Sequence, residues 1–138
     1  MRFLLDTNIV SELSRNDPNP NVLSKFQQHR FAAALAAPVL HELHFGWRRL
    51  PEGARRQTGL AFIRELLNAG LEVLPYGRES ALLHAEQRAR LEAQGAAMSY
   101  VDGQIAAIAV HHRLTLVTRN LRDFRRFEQL RAENWFAA

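Results

Sequence analysis

Three acidic residues stand where apolar patterning would not put them, and they are the first chemical signal in the chain. Asp6 closes the apolar run Phe3-Leu4-Leu5, Glu42 lies between Leu40 and Leu43, and Asp102 stands at the head of an alanine-rich stretch. Carboxylates brought to one spot raise one another's pKa, so a cation should join them. There is no cysteine, which excludes disulfides, zinc–thiolate sites and thiol catalysis. Hard oxygen ligands favour Mg²⁺ or Mn²⁺. One or two such ions generate a hydroxide nucleophile and neutralise charge on a phosphoryl group in transfer. Phosphodiester hydrolysis is the chemistry this set would perform.

Each acid also has a plainer reading. Asp6, followed by Thr7 and Asn8, suits the N-cap of a helix beginning near Ile9. Glu42 would be a solvated residue on a helix face. Ser99 and Asp102 have the spacing of a capping box. Glycine within a helix costs about 1 kcal/mol relative to alanine, so Gly46 and Gly103 predict close packing at both positions. His41 and His44 are three residues apart, and His111 and His112 are adjacent. The oxygen-rich surroundings argue against zinc, so these histidines are read as structural or surface residues.

The elements that must position the acids follow from periodicity and punctuation. Phe3 to Leu5 reads as a buried strand, and a short helix covers Ile9 to Leu13. Asn16 to Asn21 is turn chemistry, after which Val22, Leu23 and Phe26 have helical spacing. Phe31 to Ala36 is expected as a second strand. Pro38 suits the first residue of a helix running through Leu40, Leu43 and Trp47 towards Pro51. A further helix spans Arg55 to Asn68, stopped by Gly70. Leu71 to Leu74 is a third strand, Glu79 to Gln94 and Tyr100 to His112 are helices, and Leu114 to Val117 is a fourth strand. Arg122 to Leu130 is expected as a last short helix before the tail Asn134-Trp135-Phe136. Strands alternating with helices imply a parallel sheet covered on both faces. In open sheets of that kind ligands bind beyond the carboxyl ends of the strands, and Asp6 stands at such an end.

The chain has 138 residues, 47% hydrophobic and 23% charged, which excludes a disordered or collagen-like protein. The length predicts one domain over residues 1–138. Lys and Arg outnumber Asp and Glu by 18 to 14, for a net charge of +4, and Lys25 is the only lysine. Arginine's planar fork suits phosphate, and the basic balance favours anionic partners. Asp6 interrupts the opening apolar run too early for a signal peptide. The longest apolar stretch, Phe31 to Leu40, is well short of the ~18 residues a membrane span needs. A soluble cytoplasmic protein with no membrane partner is expected.

Four segments together resemble the motifs of PIN domains, most closely the VapC/FitB-type toxins of bacterial toxin–antitoxin pairs. They are Phe3 to Glu12 (FLLDTNIVSE), Val39 to Gly46 (VLHELHFG), Val101 to Ala109 (VDGQIAAIA) and Leu116 to Phe124 (LVTRNLRDF). Their order and spacing extend the likeness over essentially the whole chain. The resemblance implies a PIN-like three-layer α/β fold, with a central mainly parallel β-sheet flanked by helices. It implies an endoribonuclease requiring Mg²⁺ or Mn²⁺, whose acidic ligands map onto Asp6, Glu42 and Asp102. The family's fourth acidic position is occupied here by Asn120, which brings no charge. Asp123 would supply that charge if Asn120 to Asp123 make a helical turn. Thr118 matches the family's hydroxyl near the metal or scissile phosphate, and Asn8 would hold the Asp6 carboxylate.

Arg119, Arg122, Arg125 and Arg126 would line the approach and bind RNA phosphates non-specifically. The family likeness further implies a homodimer and a cognate antitoxin, carrying a DNA-binding half, that blocks the acidic pocket. Trp47, Leu60, Phe62 and Ile63 are more apolar positions than one small core needs, which fits such interfaces. Two departures from the family pattern are Gly77, where relatives often have an acid, and Asn134-Trp135, which lacks a frequent proline. The alternative is a non-catalytic RNA-binding PIN module with a degenerate acidic pocket, since Asn120 alters the fourth position. A strand-end phosphatase nucleophile would need a second aspartate where Asn8 stands, which argues against that class.

Overall fold

A computed structural model describes residues 1–137. Strand β1 (Phe3–Leu5) is buried at every position and runs into helix α1 (Thr7–Leu13). Helix α2 (Pro20–His29) follows, with the Asn19 side chain accepting the backbone N–H groups of Asn21 and Val22, and Pro20 in its first turn. The cap satisfies two donors that a helix start leaves free, and Pro20 has no N–H there to lose. Strand β2 (Ala33–Ala36) leads into α3 (Ala37–Arg48), then α4 (Ala54–Asn68) and β3 (Glu72–Leu74). Helices α5 (Arg78–Ala93) and α6 (Tyr100–His111) precede β4 (Thr115–Val117), α7 (Leu121–Phe124) and β5 (Arg131–Glu133).

The strands form one sheet in the order β3-β2-β1-β4-β5, and all four pairings are parallel. The expected α/β architecture, a parallel sheet flanked by helices, is therefore the one adopted. Every residue of β1 and β2 is buried, as parallel strands covered on both faces must be. Leu4, Leu5, Leu35, Leu116 and Ile108 are among the fully buried side chains of the core. Leaving β1, the chain builds outward through β2 and β3, then returns to the other flank of β1 for β4 and β5. The carboxyl ends of β1 and β4 are thus neighbours whose following segments diverge, the crevice where such sheets bind ligands. No helix among the described residues is long and apolar enough to cross a membrane.

Three expectations need correction. The second strand begins at Ala33 rather than Phe31, because Arg30–Ala32 form a turn of 3₁₀ helix that leaves Phe31 93% exposed. The last helix ends at Phe124 rather than Leu130, and Gln129 adopts a left-handed backbone (φ 66°) that no helix continues through. Beyond it lies a fifth strand where only a tail was expected. Strand β5 pairs with β4 although all three of its side chains are exposed. It is fixed from behind by Trp135, which is buried against the Phe3 ring at 5.3 Å and donates its indole N–H to Glu133 Oε1 at 2.9 Å.

The glycines divide. A Cβ at Gly103 would overlap the His84 ring, so α6 and α5 approach closely there, whereas a Cβ at Gly46 would meet nothing within 4 Å. Close packing is correct for the first and incorrect for the second. Gly59, unremarked in the sequence, lies against the Trp47 indole with no room for a side chain. Of the apolar positions considered surplus to a core, Ile63 is buried, while Trp47 and Phe62 are partly buried and packed against it.

Candidate active site

Asp6 stands at the exit of β1 and caps α1, accepting the Thr7 backbone N–H on Oδ1 at 2.8 Å. The capping role and the site are therefore compatible readings of one residue. Its other oxygen, Oδ2, accepts the Thr118 hydroxyl at 2.8 Å and the Asn8 amide at 3.3 Å. Thr118 follows β4 and is fully buried. Its oxygen also accepts the Asn120 backbone N–H at 3.0 Å. Asn8 in turn accepts the Arg119 backbone N–H at 3.1 Å. The two strand ends are stitched further by the Asp6 backbone N–H, which donates to the Val117 carbonyl at 2.9 Å. Asp6 is only 5% exposed, and three donors fix how its carboxylate points.

Glu42 projects from α3, and Thr7 donates its hydroxyl to Glu42 Oε1 at 3.5 Å. Asp102 lies in the first turn of α6, whose N-cap Ser99 accepts the Asp102 backbone N–H at 3.1 Å. Asp6, Glu42 and Asp102 line one cavity of about 1140 Å³. Arg119 and Asn120 from the β4–α7 turn line it too, as do Arg15 after α1, Trp47 of α3 and Arg55 of α4.

The charges interact. Burial pushes the Asp6 carboxyl up, against hydrogen bonds from Thr118, Thr7 and Asn8, and the charge of Asp123 adds to the rise. Burial likewise raises Asp102; the Ser99 hydroxyl opposes this, while Asp6, Asp123 and Glu42 push the same way as burial. Like charges of this sort hold one another apart. Among the described residues no three His, Asp or Glu side chains are clustered tightly enough to hold an ion as they stand. The cavity's donors suit a hard divalent cation nonetheless: carboxylate, amide and hydroxyl oxygens, with no sulfur.

The remaining expected residues separate into two groups. Arg119 and Asn120 share the acidic cavity, the Arg119 guanidinium lying 4.5 Å from the centre of the Phe136 ring. Asn120 and Asp123 do make a turn, with the Asp123 N–H donating to the Asn120 carbonyl at 3.0 Å. Yet Asp123 lines an adjoining depression, together with Arg122, Arg126 and Asp102. Its charge reaches the site while its side chain faces a neighbouring surface. Arg125 lines neither hollow. Of the histidines, His41 and His44 are exposed on α3 and line a second groove rather than the acidic cavity, although they flank Glu42 in the chain.

Sequence reasoning missed Glu12, Arg15, Trp47 and Arg55. Glu12 is buried and accepts both the Arg15 guanidinium and the Asn19 backbone N–H, at 3.1 and 2.8 Å. Burial pushes Glu12 up, but the Asn19 N–H and the charges of Arg15 and Arg119 outweigh it and hold the group below its ordinary value. The spacing of Glu12 and Arg15, three apart on a helix, was a legible sign of an ion pair. Trp47 and Arg55 carried no such sign, since tertiary packing alone brings them here.

Comparison with known proteins bears on this arrangement. The PIN domain family model matches residues 3–130. The chain is similar to Ribonuclease VapC2 of Haemophilus influenzae, 33% identical over 135 residues and covering 98% of each sequence. In structure it is similar to FitAcB from Neisseria gonorrhoeae, with 28% identity, a TM-score of 0.87 and 99% of both chains covered. It is likewise similar to DNA-bound VapBC from Salmonella typhimurium, with 29% identity, a TM-score of 0.86 and 98% of both chains covered.

Proposed function

We propose that this chain, which belongs to the PIN-domain family, is a divalent-metal-dependent endoribonuclease acting as the toxin of a toxin–antitoxin pair. The observation that carries the reading is the set Asp6, Glu42 and Asp102 around one cavity at the sheet's switch point, with Arg119 in its lining. Likeness to a relative named a ribonuclease over nearly the full length supports RNA as the substrate. Likeness to DNA-bound VapBC supports an antitoxin partner that brings DNA binding to the complex. One sheet and one core cluster reach from Phe3 to Trp135, which supports treating residues 1–138 as one PIN domain. A homodimer belongs to the same proposal.

Asp6, Glu42 and Asp102 would hold Mg²⁺ or Mn²⁺. When bound, the ion supplies Lewis-acid activation of water and neutralises charge on the phosphoryl group. Thr118 and Asn8 fix the orientation of the Asp6 carboxylate by donating to its Oδ2. Asn120 offers a neutral oxygen at the fourth position, and the Asp123 charge strengthens the local negative field from outside the cavity. Arg119 holds an RNA phosphate beside the acids, its guanidinium steadied by the Phe136 ring.

The test is cleavage of a labelled RNA by the purified chain in Mg²⁺, in Mn²⁺ and in EDTA. Cutting with either ion, none in EDTA, and loss of cutting in Glu42→Gln with an unchanged thermal melt are the expected results. RNA bound equally in EDTA and Mg²⁺ but never cut would replace the proposal with a non-catalytic RNA-binding module.

A further inference from the structure

Where α3 and α4 line the acidic cavity, its wall has a composition the hydrolytic chemistry does not use. Trp47, near the end of α3, lies against the backbone of Gly59 in α4, an approach possible only because Gly59 lacks a side chain. The indole is therefore held on one side by main chain, and its remaining exposed surface lines the cavity. Arg55, exposed in the first turn of α4, lines the same wall and has no acidic partner among the described residues. Arg15 is nearby, but its charge is already matched by Glu12 at 3.1 Å. The cavity's other ring, Phe136, is covered by the Arg119 guanidinium. An aromatic surface backed by main chain and an unpaired guanidinium thus line the same cavity as Asp6 and Asp102.

We infer that Trp47 and Arg55 form a subsite for one unpaired nucleotide of single-stranded RNA, the base against the indole and its phosphate on Arg55. This rests on the nuclease reading above and adds where the strand lies. Stacking on an aromatic side chain is open to any base, since each has a π-face, so the subsite selects strandedness rather than sequence. In a duplex, stacking between neighbouring base pairs would bury the face that Trp47 needs. Arg55 supplies one phosphate contact, and releasing the counterions of one phosphate changes the salt slope by about 0.7 for a single strand. The subsite also accounts for Gly59: any larger residue there would displace the indole from the wall.

The experiment measures binding in EDTA, so that no strand is cut. A short fluorescein-labelled RNA of mixed sequence, single-stranded or annealed to its complement, is titrated with the full-length chain and followed by anisotropy. Trp47→Phe should retain affinity and Trp47→Leu should lose roughly 5- to 160-fold for the single strand, the range of one stacked base. Arg55→Gln should weaken binding and lower the slope of log affinity against log salt by about 0.7. Cleavage of the single strand in Mg²⁺ should fall in Trp47→Leu through KM. Thermal melts confirm that each variant is folded. Equal affinity of Trp47→Leu and wild type, or a duplex bound as tightly as the single strand, would overturn the subsite while leaving the nuclease reading in place. A wild-type chain that neither binds nor cuts RNA would instead overturn the nuclease reading itself.

Discussion

Replacing Thr118 with valine keeps the shape of a fully buried side chain and removes one hydroxyl. That hydroxyl donates to Asp6 Oδ2 at 2.8 Å and accepts the Asn120 N–H at 3.0 Å. Asn120 is exposed, so water replaces the second bond at little cost. The first is a hydrogen bond to a buried carboxylate, whose loss amounts to about 1.5–3 kcal/mol. Unfolding entropy for a chain of this length makes each kcal/mol worth roughly 3 °C of melting temperature, so Thr118→Val should melt about 5–10 °C lower at neutral pH. Asp6 then loses one of its two shortest hydrogen bonds, and cleavage should fall roughly 10- to 100-fold, the usual effect of removing a group that orients a ligand. Thr118→Ser keeps the hydroxyl and should recover most of both losses. The assays are calorimetric melting and single-turnover RNA cleavage. A valine variant that melts and cuts like wild type would refute the claim that this bond orients Asp6.

Other outcomes follow from the same geometry. Asp6 and Asp102 both have raised pKa values, so their contribution to stability is complete below the ordinary 3.8 and is lost as pH rises through the raised values. In EDTA, Asp102→Asn should therefore flatten the part of the melting profile that falls between that pH and neutrality; parallel profiles for variant and wild type would contradict this. Gly103→Ala drives a methyl into the His84 ring and should destabilise by about 1–3 kcal/mol, read from denaturant unfolding. Gly46→Ala, with open space around the new methyl, should be neutral or up to about 1 kcal/mol more stable, and a large loss there would show that the helix is packed differently.

What the sequence made legible depended on how burial writes itself into residue type. Strand β1 is short but wholly apolar and ends on a charge, so Phe3–Leu5 and the position of Asp6 were both readable. Ser99 announced the start of α6 through its spacing to Asp102, and the structure places the cap there. Strand β5 left no trace, because Arg131–Glu133 contributes backbone to the sheet while its side chains remain in water. Phe31 misled in the opposite sense, being an apolar residue that the core does not take up. In the candidate site, Asp6 was visible because charges are rare at the ends of buried strands, and Glu42 and Asp102 because each breaks the apolar or alanine-rich patterning of its helix. The wall formed by Trp47 and Arg55 was not, since an amphipathic helix has many reasons to carry a tryptophan or an arginine. Only the missing side chain of Gly59 distinguishes this tryptophan, and a single glycine among seven says nothing until its neighbour is known.

The central claim is that Asp6, Glu42 and Asp102 together hold a divalent cation, and Mn²⁺ binding followed by electron paramagnetic resonance tests it without reference to turnover. Titration of the wild-type chain should show saturable loss of the free Mn²⁺ signal, competed by Mg²⁺ and weakened at least tenfold in each of Asp6→Asn, Glu42→Gln and Asp102→Asn. Binding that survives all three substitutions, or a wild-type chain that takes up no Mn²⁺, would contradict it.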